Sequence, residues 1–293
     1  MAGIKEIRTR IVSVINTQKI TSAMKMVSAA KLRKAQMAVS QMKPYAAKLQ
    51  ELLCVISSQL SNNEGDNKYA TVRPEEKILV VAIASNSGLC GGFNSNVSKA
   101  VLSLIQKTYA GKDVTVYAFG KKMIEGLKIR QIVPEKKFIE IYDNFSFESV
   151  SEISTDIMNS FAMERFDKVV LVYNSFVNAA TQIVTEEQFL PIVAEPLSEE
   201  NSPSVAFEKD YIFEPTKEYI VQELIPRSLK IQFYSAMLDS IASEHGARMT
   251  AMHQATDNAT DLLRDLRLDY NKARQASITN EILEIVSGAN ALG

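Results

Sequence analysis

Three sets of residues in this chain have side chains or backbones suited to chemistry: the histidines His245 and His253, the glycines Gly88, Gly91 and Gly92, and the carboxylates Asp257, Asp261, Asp265 and Asp269. An imidazole can move a proton or hold a metal near neutral pH, and these two are the only histidines present. They are eight residues apart in a stretch of helical periodicity, so a rise of about 1.5 Å per residue separates them by roughly 12 Å. They cannot share a metal, and lone helical histidines are mostly structural. The carboxylates recur at every fourth position beside Arg264, Arg267, Lys272 and Arg274, the pattern of a solvated helix stripe. Nowhere do a nucleophile, a base and an orienting group fall together. A non-catalytic chain with no cofactor and no metal is expected.

The glycines stand in Ser85-Asn-Ser-Gly-Leu-Cys-Gly-Gly-Phe-Asn, where a first strand should turn into a helix. In a dinucleotide fold that turn receives phosphate on helix amides. The spacing matches neither G-x-G-x-x-G nor the P-loop, which needs a Lys-Ser/Thr after its last glycine. A tight turn with close backbone packing is the other role open to it. The two cysteines, Cys54 and Cys90, make neither a disulfide framework nor a metal cluster and imply a reducing, intracellular compartment.

The elements that must carry these residues follow from periodicity. After the polar stretch Ser61-Asn-Asn-Glu-Gly-Asp-Asn-Lys, the runs Ile78 to Ala84, Val114 to Phe119 and Val169 to Tyr173 read as buried strands, with helices near 94–108, 120–127 and 147–163. Gln182 to Ile192 adds one more strand, and Ser198 to Ser204 reads as an exposed loop. The alternation predicts a small, mostly parallel α/β sheet.

Both ends of the chain read as long helices, roughly 4–58 and 226–289. From Ile7, the positions Ile11, Val14, Gln18, Thr21, Lys25, Ser28, Leu32, Ala35 and Val39 keep a 3,4 repeat with a polar interruption in the middle. Through the interruption the apolar residues move to Ile20, Ala23, Met24 and Val27, so one helix serves two neighbours. The second helix repeats through Ile231, Tyr234, Leu238, Ile241, His245, Arg248, Met252, Ala255, Ala259, Leu262 and Leu266. At about 1.5 Å per residue the two would be roughly 80 and 95 Å long. Since one enters the central segment and the other leaves it, pairing makes them antiparallel, with both termini at one tip. Pro44 predicts a kink. The domains expected are 1–60 (coiled-coil helix), 61–76 (linker), 77–205 (Rossmann-like α/β domain) and 206–293 (coiled-coil helix).

The total charge of −1 conceals an asymmetry: Lys5, Arg8, Arg10, Lys19, Lys25, Lys31, Arg33, Lys34, Lys43 and Lys48 stand against Glu6 alone in the first fifty residues. So one-sided a helix faces something acidic: nucleic acid, anionic lipid or protein. At the tip, Ile278, Ile282, Leu283, Ile285, Val286 and Leu292 would be exposed with few charges among them, which calls for a partner that encloses them. The longest apolar run, Ile78 to Ala84, is far short of the roughly 20 residues that span a bilayer. The first residues lack the apolar core of a secretory signal.

Met1-Ala-Gly-Ile-Lys-Glu-Ile-Arg, Asn16-Thr-Gln-Lys-Ile-Thr-Ser-Ala-Met-Lys-Met-Val, Gly88-Leu-Cys-Gly-Gly-Phe-Asn, Tyr270-Asn-Lys-Ala-Arg-Gln-Ala-Ser-Ile-Thr-Asn-Glu-Ile and Ile285-Val-Ser-Gly-Ala together resemble the gamma subunits of F-type ATP synthases, in order along the whole chain. The resemblance implies a central rotor stalk inside a hexamer of alpha and beta subunits, with its globular part near the epsilon subunit and the membrane c ring. Proton flow through the ring then drives ATP synthesis on beta, while this chain transmits torque and regulates ATPase activity and proton flow. It implies coupling roles for Met24 and Arg248, contacts with beta for Arg274, Gln275, Thr279 and Glu281, and a c-ring and epsilon side at Tyr211 and Glu214. A peripheral protein on the cytoplasmic side of a bacterial inner membrane, without nucleic acid, is expected. Where many relatives carry Asp-Arg before the glycine motif, this chain has Asn86 and Ser87, which puts any salt bridge there in doubt. Two other classes remain open on the residues alone. A nucleotide-dependent enzyme requires saturable binding of NAD or ATP by residues 76–205. A nucleic-acid binder requires strongly salt-dependent DNA affinity.

Overall fold

Lys77–Ile83 forms the central strand, β1, because all but its first residue are apolar and both faces of it are covered. Asp113–Phe119 (β2) and Lys168–Phe176 (β4) flank it in parallel, Lys136–Phe138 (β3) extends β2 in parallel, and Gln182–Leu190 (β5) closes the other edge antiparallel to β4. The order is β3-β2-β1-β4-β5. The computed structural model describes residues 4–59, 68–192 and 217–292. They divide into two compact units, one holding the chain up to Ala30 together with Arg248 onward, the other Lys31–Ala247.

In the larger unit, two long helices accompany the sheet: the latter part of α1 (Ile4–Gln59) and the first part of α5 (Lys217–Leu292). The shorter helices are α2 (Phe93–Ser103), continued by a π-helical turn Leu104–Thr108, α3 (Lys121–Ile129) and α4 (Phe147–Ala162). The serine before α4, Ser146, starts it by accepting the Ser149 N–H at 3.2 Å. Alternation along β1 sends Ile78, Val80 and Ala82 to a face covered by Val97, Val101, Met123 and Leu127, from α2 and α3. It sends Leu79, Val81 and Ile83 to the opposite face, which holds Ile157 and Phe161 from α4 and Leu229, Phe233 and Met237 from α5. Phe233 is fully buried, with its ring centroid 5.7 Å from those of both Phe119 and Phe189. A buried side chain of this size contributes about 1.5–3 kcal/mol, so α5 from Ile225 to Met237 belongs to the core of the sheet.

The mostly parallel α/β architecture agrees with the expectation. The sequence reading missed β3, whose three residues are too short to show alternation. It also started the second helix at 226, whereas α5 begins at Lys217 and passes through Pro226. Helix α1 contains Pro44, where the kink was expected, and runs on past it to Gln59.

The smaller unit is a pair of helices. Gln18 Nε2 donates to Thr260 Oγ1 at 2.7 Å, and the Thr21 and Thr256 hydroxyls are 2.9 Å apart. Three residues back along α1 correspond to four forward along α5, so the pairing is antiparallel. Buried or half-buried positions along this pairing include Ile7, Ile11, Val14, Gln18, Thr21 and Ser28 on α1 and Met252, Thr256, Ala259, Leu263, Leu266 and Tyr270 on α5. Here the structure corrects one position: Leu262 is 48% exposed and Leu263 only 5%. Counting four from Ala259, not three, keeps the seam in register with Thr256.

Gly120 shows where close packing dictates a residue type. Its φ is +89°, and a Cβ there would lie 2.4 Å from the Ala84 carbonyl oxygen and 2.8 Å from that of Ser85. Gly120→Ala combines a left-handed backbone with a clash against two fixed carbonyls, so a loss of about 3 kcal/mol or more is expected. The urea midpoint, followed by tyrosine fluorescence, measures it.

Candidate functional site

Helix α5 outlasts its partner. Fourteen residues back from Thr21 along α1 is Ile7, and fourteen on from Thr256 along α5 is Tyr270. The same count places Ile4, where α1 starts, opposite Ala273. The expectation that both helices end at one tip is therefore corrected: residues beyond about Ser277 have no part of Ile4–Ala30 opposite them. The sequence changes at that point. The seam count, running through Tyr270, Ala273 and Ser277, continues as Asn280 and Glu284, which are polar and exposed. The apolar residues Ile278, Ile282 and Ile285 repeat at spacings of four and three on positions one or two residues later, rotated by about 100° or more for each residue of offset. All three are exposed, together with Leu283 and Val286.

A similar inversion holds in the paired part. The polar side chains Thr21 and Ser28 are buried in the seam, while Val12, Ile20, Met26 and Val27 are outside, Ile20 with 60% of its surface exposed. The interior hydroxyls are satisfied locally. Thr21 donates to the Gln18 carbonyl at 3.1 Å, Thr256 to the Met252 carbonyl at 2.7 Å and Thr260 to the Thr256 carbonyl at 2.9 Å. Helices that bury hydroxyls and expose isoleucine and valine have apolar surface beyond what their own contact covers.

The sequence-derived site residues fall in three groups. Arg274, Gln275, Thr279 and Glu281 are all exposed on the unpaired part of α5. There the Thr279 hydroxyl donates to the Gln275 carbonyl at 3.0 Å, and Ser277 reaches Glu281 Oε1 at 3.4 Å. At 100° per residue these four and Ile278, Ile282 and Ile285 lie within one half of the helix circumference, so donors, a carboxylate and apolar side chains share a face. Met24 is half-buried and, by the register, opposite His253, while Arg248 is buried at 7% exposure about a turn further back. The structure does not place those two opposite each other. Tyr211 and Glu214 lie outside the described residues, as do Leu292's surroundings. Val12 and Met26, which sequence reasoning passed over, join the outward stripe; their spacing from Ile20 and Val27 was the available signal.

Of the charged residues, Lys5, Arg8, Arg10 and Lys19 are exposed on α1. On α5, His253 Nδ1 lies 3.1 Å from an Asp257 carboxylate oxygen, and Arg264 pairs with Asp261 and Asp265 at 3.9 and 3.8 Å. Exposed pairs of this kind add less than about 1 kcal/mol each. The aspartate row is the solvated stripe its spacing implied.

At the glycine turn, the geometry is that of a tight turn held by neighbouring side chains. Leu89 and Gly91 have φ of +62° and +57°, and Gly92 precedes α2. Asn94 Oδ1 accepts from the Ser85 N–H and hydroxyl, both at 3.0 Å, and its amide donates to Cys90 Sγ at 3.1 Å. In an open doubly wound sheet the ligand crevice lies where the helices switch faces, here between the ends of β1 and β4. The buried Asn174 occupies that place, its amide donating to the Phe93 carbonyl at 3.3 Å. Asn86 uses both ends of its amide, donating to the Ile139 carbonyl and accepting the Lys121 N–H, each at 2.9 Å. A carboxylate at 86 could not make the first of these bonds. Among the described residues there is no cluster of three metal-ligating side chains, and no helix is long and apolar enough to cross a membrane.

The register of the paired helices can be tested directly. In a Cys54→Ser background, Thr21→Cys with Thr256→Cys is expected to oxidise to an intramolecular disulfide within minutes. Thr21→Cys with Leu266→Cys, ten residues or about 15 Å further along, is expected to stay reduced. Mass spectrometry of the non-reduced chain distinguishes the two.

Comparison with known proteins converges on one family. A family model described as ATP synthase matches residues 3–292. The ATP synthase gamma chains of Christiangramia forsetii and Flavobacterium johnsoniae are each 56% identical over 292 residues, covering 100% of this chain and 99% of theirs. That of Geobacter metallireducens is 42% identical over 293 residues with the same coverage. Among solved structures, a chain of the central stalk and c ring of Tetrahymena thermophila mitochondrial ATP synthase aligns with a TM-score of 0.60 and 25% identity, covering 80% of this chain and 99% of that one. A chain of the Euglena gracilis mitochondrial ATP synthase rotor shares the fold at a TM-score of 0.65 and 20% identity, covering 94% and 98%. With a family model spanning nearly the whole sequence and relatives matching along their full lengths, the chain belongs to the ATP synthase gamma chain family.

Proposed function

We propose that this chain is the central rotor stalk of an F-type ATP synthase: a non-catalytic subunit that carries torque between the membrane c ring and the hexamer of alpha and beta subunits, where the active sites lie. The observation that carries the reading is the exposed apolar face of Ile278, Ile282, Ile285 and Val286 on the unpaired part of α5, together with the exposed Val12, Ile20 and Val27 of α1. Such a face is suited to an enclosing partner, and apolar contacts without directional bonds let one surface turn against another. Arg274, Gln275, Thr279 and Glu281 supply the directional bonds: a guanidinium or amide can form charge-assisted hydrogen bonds to carboxylates of beta at one rotor angle and release them at the next. The exposed basic residues of α1 suit an acidic surface of the hexamer.

In this assignment residues 1–60 and 206–293 are the stalk helices, 61–76 a linker, and 77–205 the domain that meets epsilon and the c ring, with Tyr211 and Glu214 on that side. Met24 and Arg248 take part in coupling rotation to catalysis. The complex is membrane-associated; this chain is held peripherally, on the cytoplasmic side of a bacterial inner membrane.

Expression with the cognate alpha and beta subunits, with an affinity tag in the α/β domain, tests the assignment. One copy per hexamer is expected to co-purify, with ATPase activity that is lost when the chain is omitted; recovery of a folded monomer alone contradicts it. Ending the chain after Tyr270 is expected to leave the unfolding of the α/β unit unchanged, since its core contains none of the removed residues, while coupled ATP synthesis falls about tenfold or more. Full coupled synthesis by the shortened chain would remove the roles given to Arg274, Gln275 and Glu281.

A further inference from the structure

Torque needs a joint that does not slip, and α5 makes one kind of contact with the sheet that its apolar core does not explain. Between Ile225 and Met237 the helix is held by large side chains packed on β1, β2 and β5. Packing of that kind resists separation but offers few directional contacts. From Ser243 to Gly246 the contact changes character. The buried Ser243 hydroxyl donates to the Asn174 backbone carbonyl at 3.0 Å. Gly246 lies so close to the β4–β5 turn that a Cβ would stand 3.3 Å from Ala179 Cα, 3.4 Å from its carbonyl oxygen and 3.4 Å from the Phe176 ring. Asn174 passes the contact inward through its amide bond to Phe93, at the start of α2. Nearer the start of α5, Gln232 donates to Glu187 Oε1 at 2.6 Å, and the Tyr173 hydroxyl donates to the other carboxylate oxygen at 2.7 Å. The helix is thus fixed at two levels along β4 and β5 by bonds with direction, and at the second level by backbone against backbone.

We propose that the contact of Ser243 and Gly246 with Asn174 and the β4–β5 turn is the joint through which torque passes between the α/β domain and helix α5. The inference rests on the rotor reading given above. The role is one of positioning, exerted through α5. Sliding of the helix would break the Ser243 bond and drive the flank of Gly246 into Ala179, whereas a larger residue at 246 would hold the two backbones apart.

The experiment uses the full complex in sealed vesicles and reads ATP hydrolysis and ATP-driven ion uptake separately. G246V is expected to hydrolyse ATP while moving fewer ions per ATP, by about twofold or more, the scale on which single substitutions alter coupling between distant sites. S243A is expected to lower the ratio in the same direction. G246A, whose lone Cβ meets the same Ala179 and Phe176 atoms with less bulk than valine, is expected to lower the ratio less than G246V. An assembled G246V complex with an unchanged ratio overturns the proposal. If G246V does not assemble, an unchanged ratio in S243A overturns it instead. Failure of the unsubstituted chain to support ATP-driven uptake would remove the rotor reading itself, and can be told apart from these results.

Discussion

Two helices in contact can bury only one stripe each, and this limit organises the smaller unit. Its seam holds Ile7, Ile11 and Val14 against Leu263, Leu266 and Tyr270, then turns polar at Gln18 and Thr21. A hydroxyl seam is weaker than an apolar one, but it has direction, since Thr21 and Gln18 find their hydrogen-bond partners only in one register. What the seam gives up in apolar burial is placed outside, at Ile20, Met26 and Val27. The unpaired part of α5 continues the same logic, because its seam positions become polar where α1 ends and its apolar residues take another face. Surface of that kind marks a site for contact with another protein.

The larger unit illustrates how a fold can be separated from the function it often carries. Its parallel strands, face-switching helices and glycine turn reproduce the plan of a nucleotide domain. Yet the crevice at the switch point holds Asn174, and the glycine turn is held by Ser85, Asn94 and Cys90. Glycine is needed at Gly120 because two carbonyls stand where a side chain would be, and at Gly246 because the β4–β5 turn approaches the helix backbone. Both are requirements of packing. The sheet provides a stiff base on which α5 is buried through Leu229, Phe233 and Met237, and a helix so held can carry force along its length.

Much of this was readable from one dimension. The continuous apolar run of β1, the 3,4 repeats of both long helices and the order of elements follow from periods of 2 and 3.6, which are local properties. So does the solvated row from Asp257 to Asp269, and the inability of His245 and His253 to meet at a metal, since helical rise alone separates them. The exposed face at Ile278, Ile282 and Ile285 was legible for the same reason: spacing fixes which residues share a side of a helix.

Other features depended on residues far apart in the chain. Whether Leu262 or Leu263 enters the seam is undecided by a repeat that allows steps of three or four; the partner helix chose Leu263 through the Thr21 and Thr256 register. The point at which α5 loses its partner follows from that register and not from either helix alone. β3 was invisible because three residues carry no period, and it exists because β2 offers an open edge. The closeness of Gly246 to Ala179 and of Gly120 to Ala84 joins segments separated by dozens of residues. The sequence by itself therefore determined the elements and the faces they present. The tertiary structure decided register, the filling of the crevice and the seat of α5 on the sheet, because those are set by steric exclusion between distant segments, which no local pattern records.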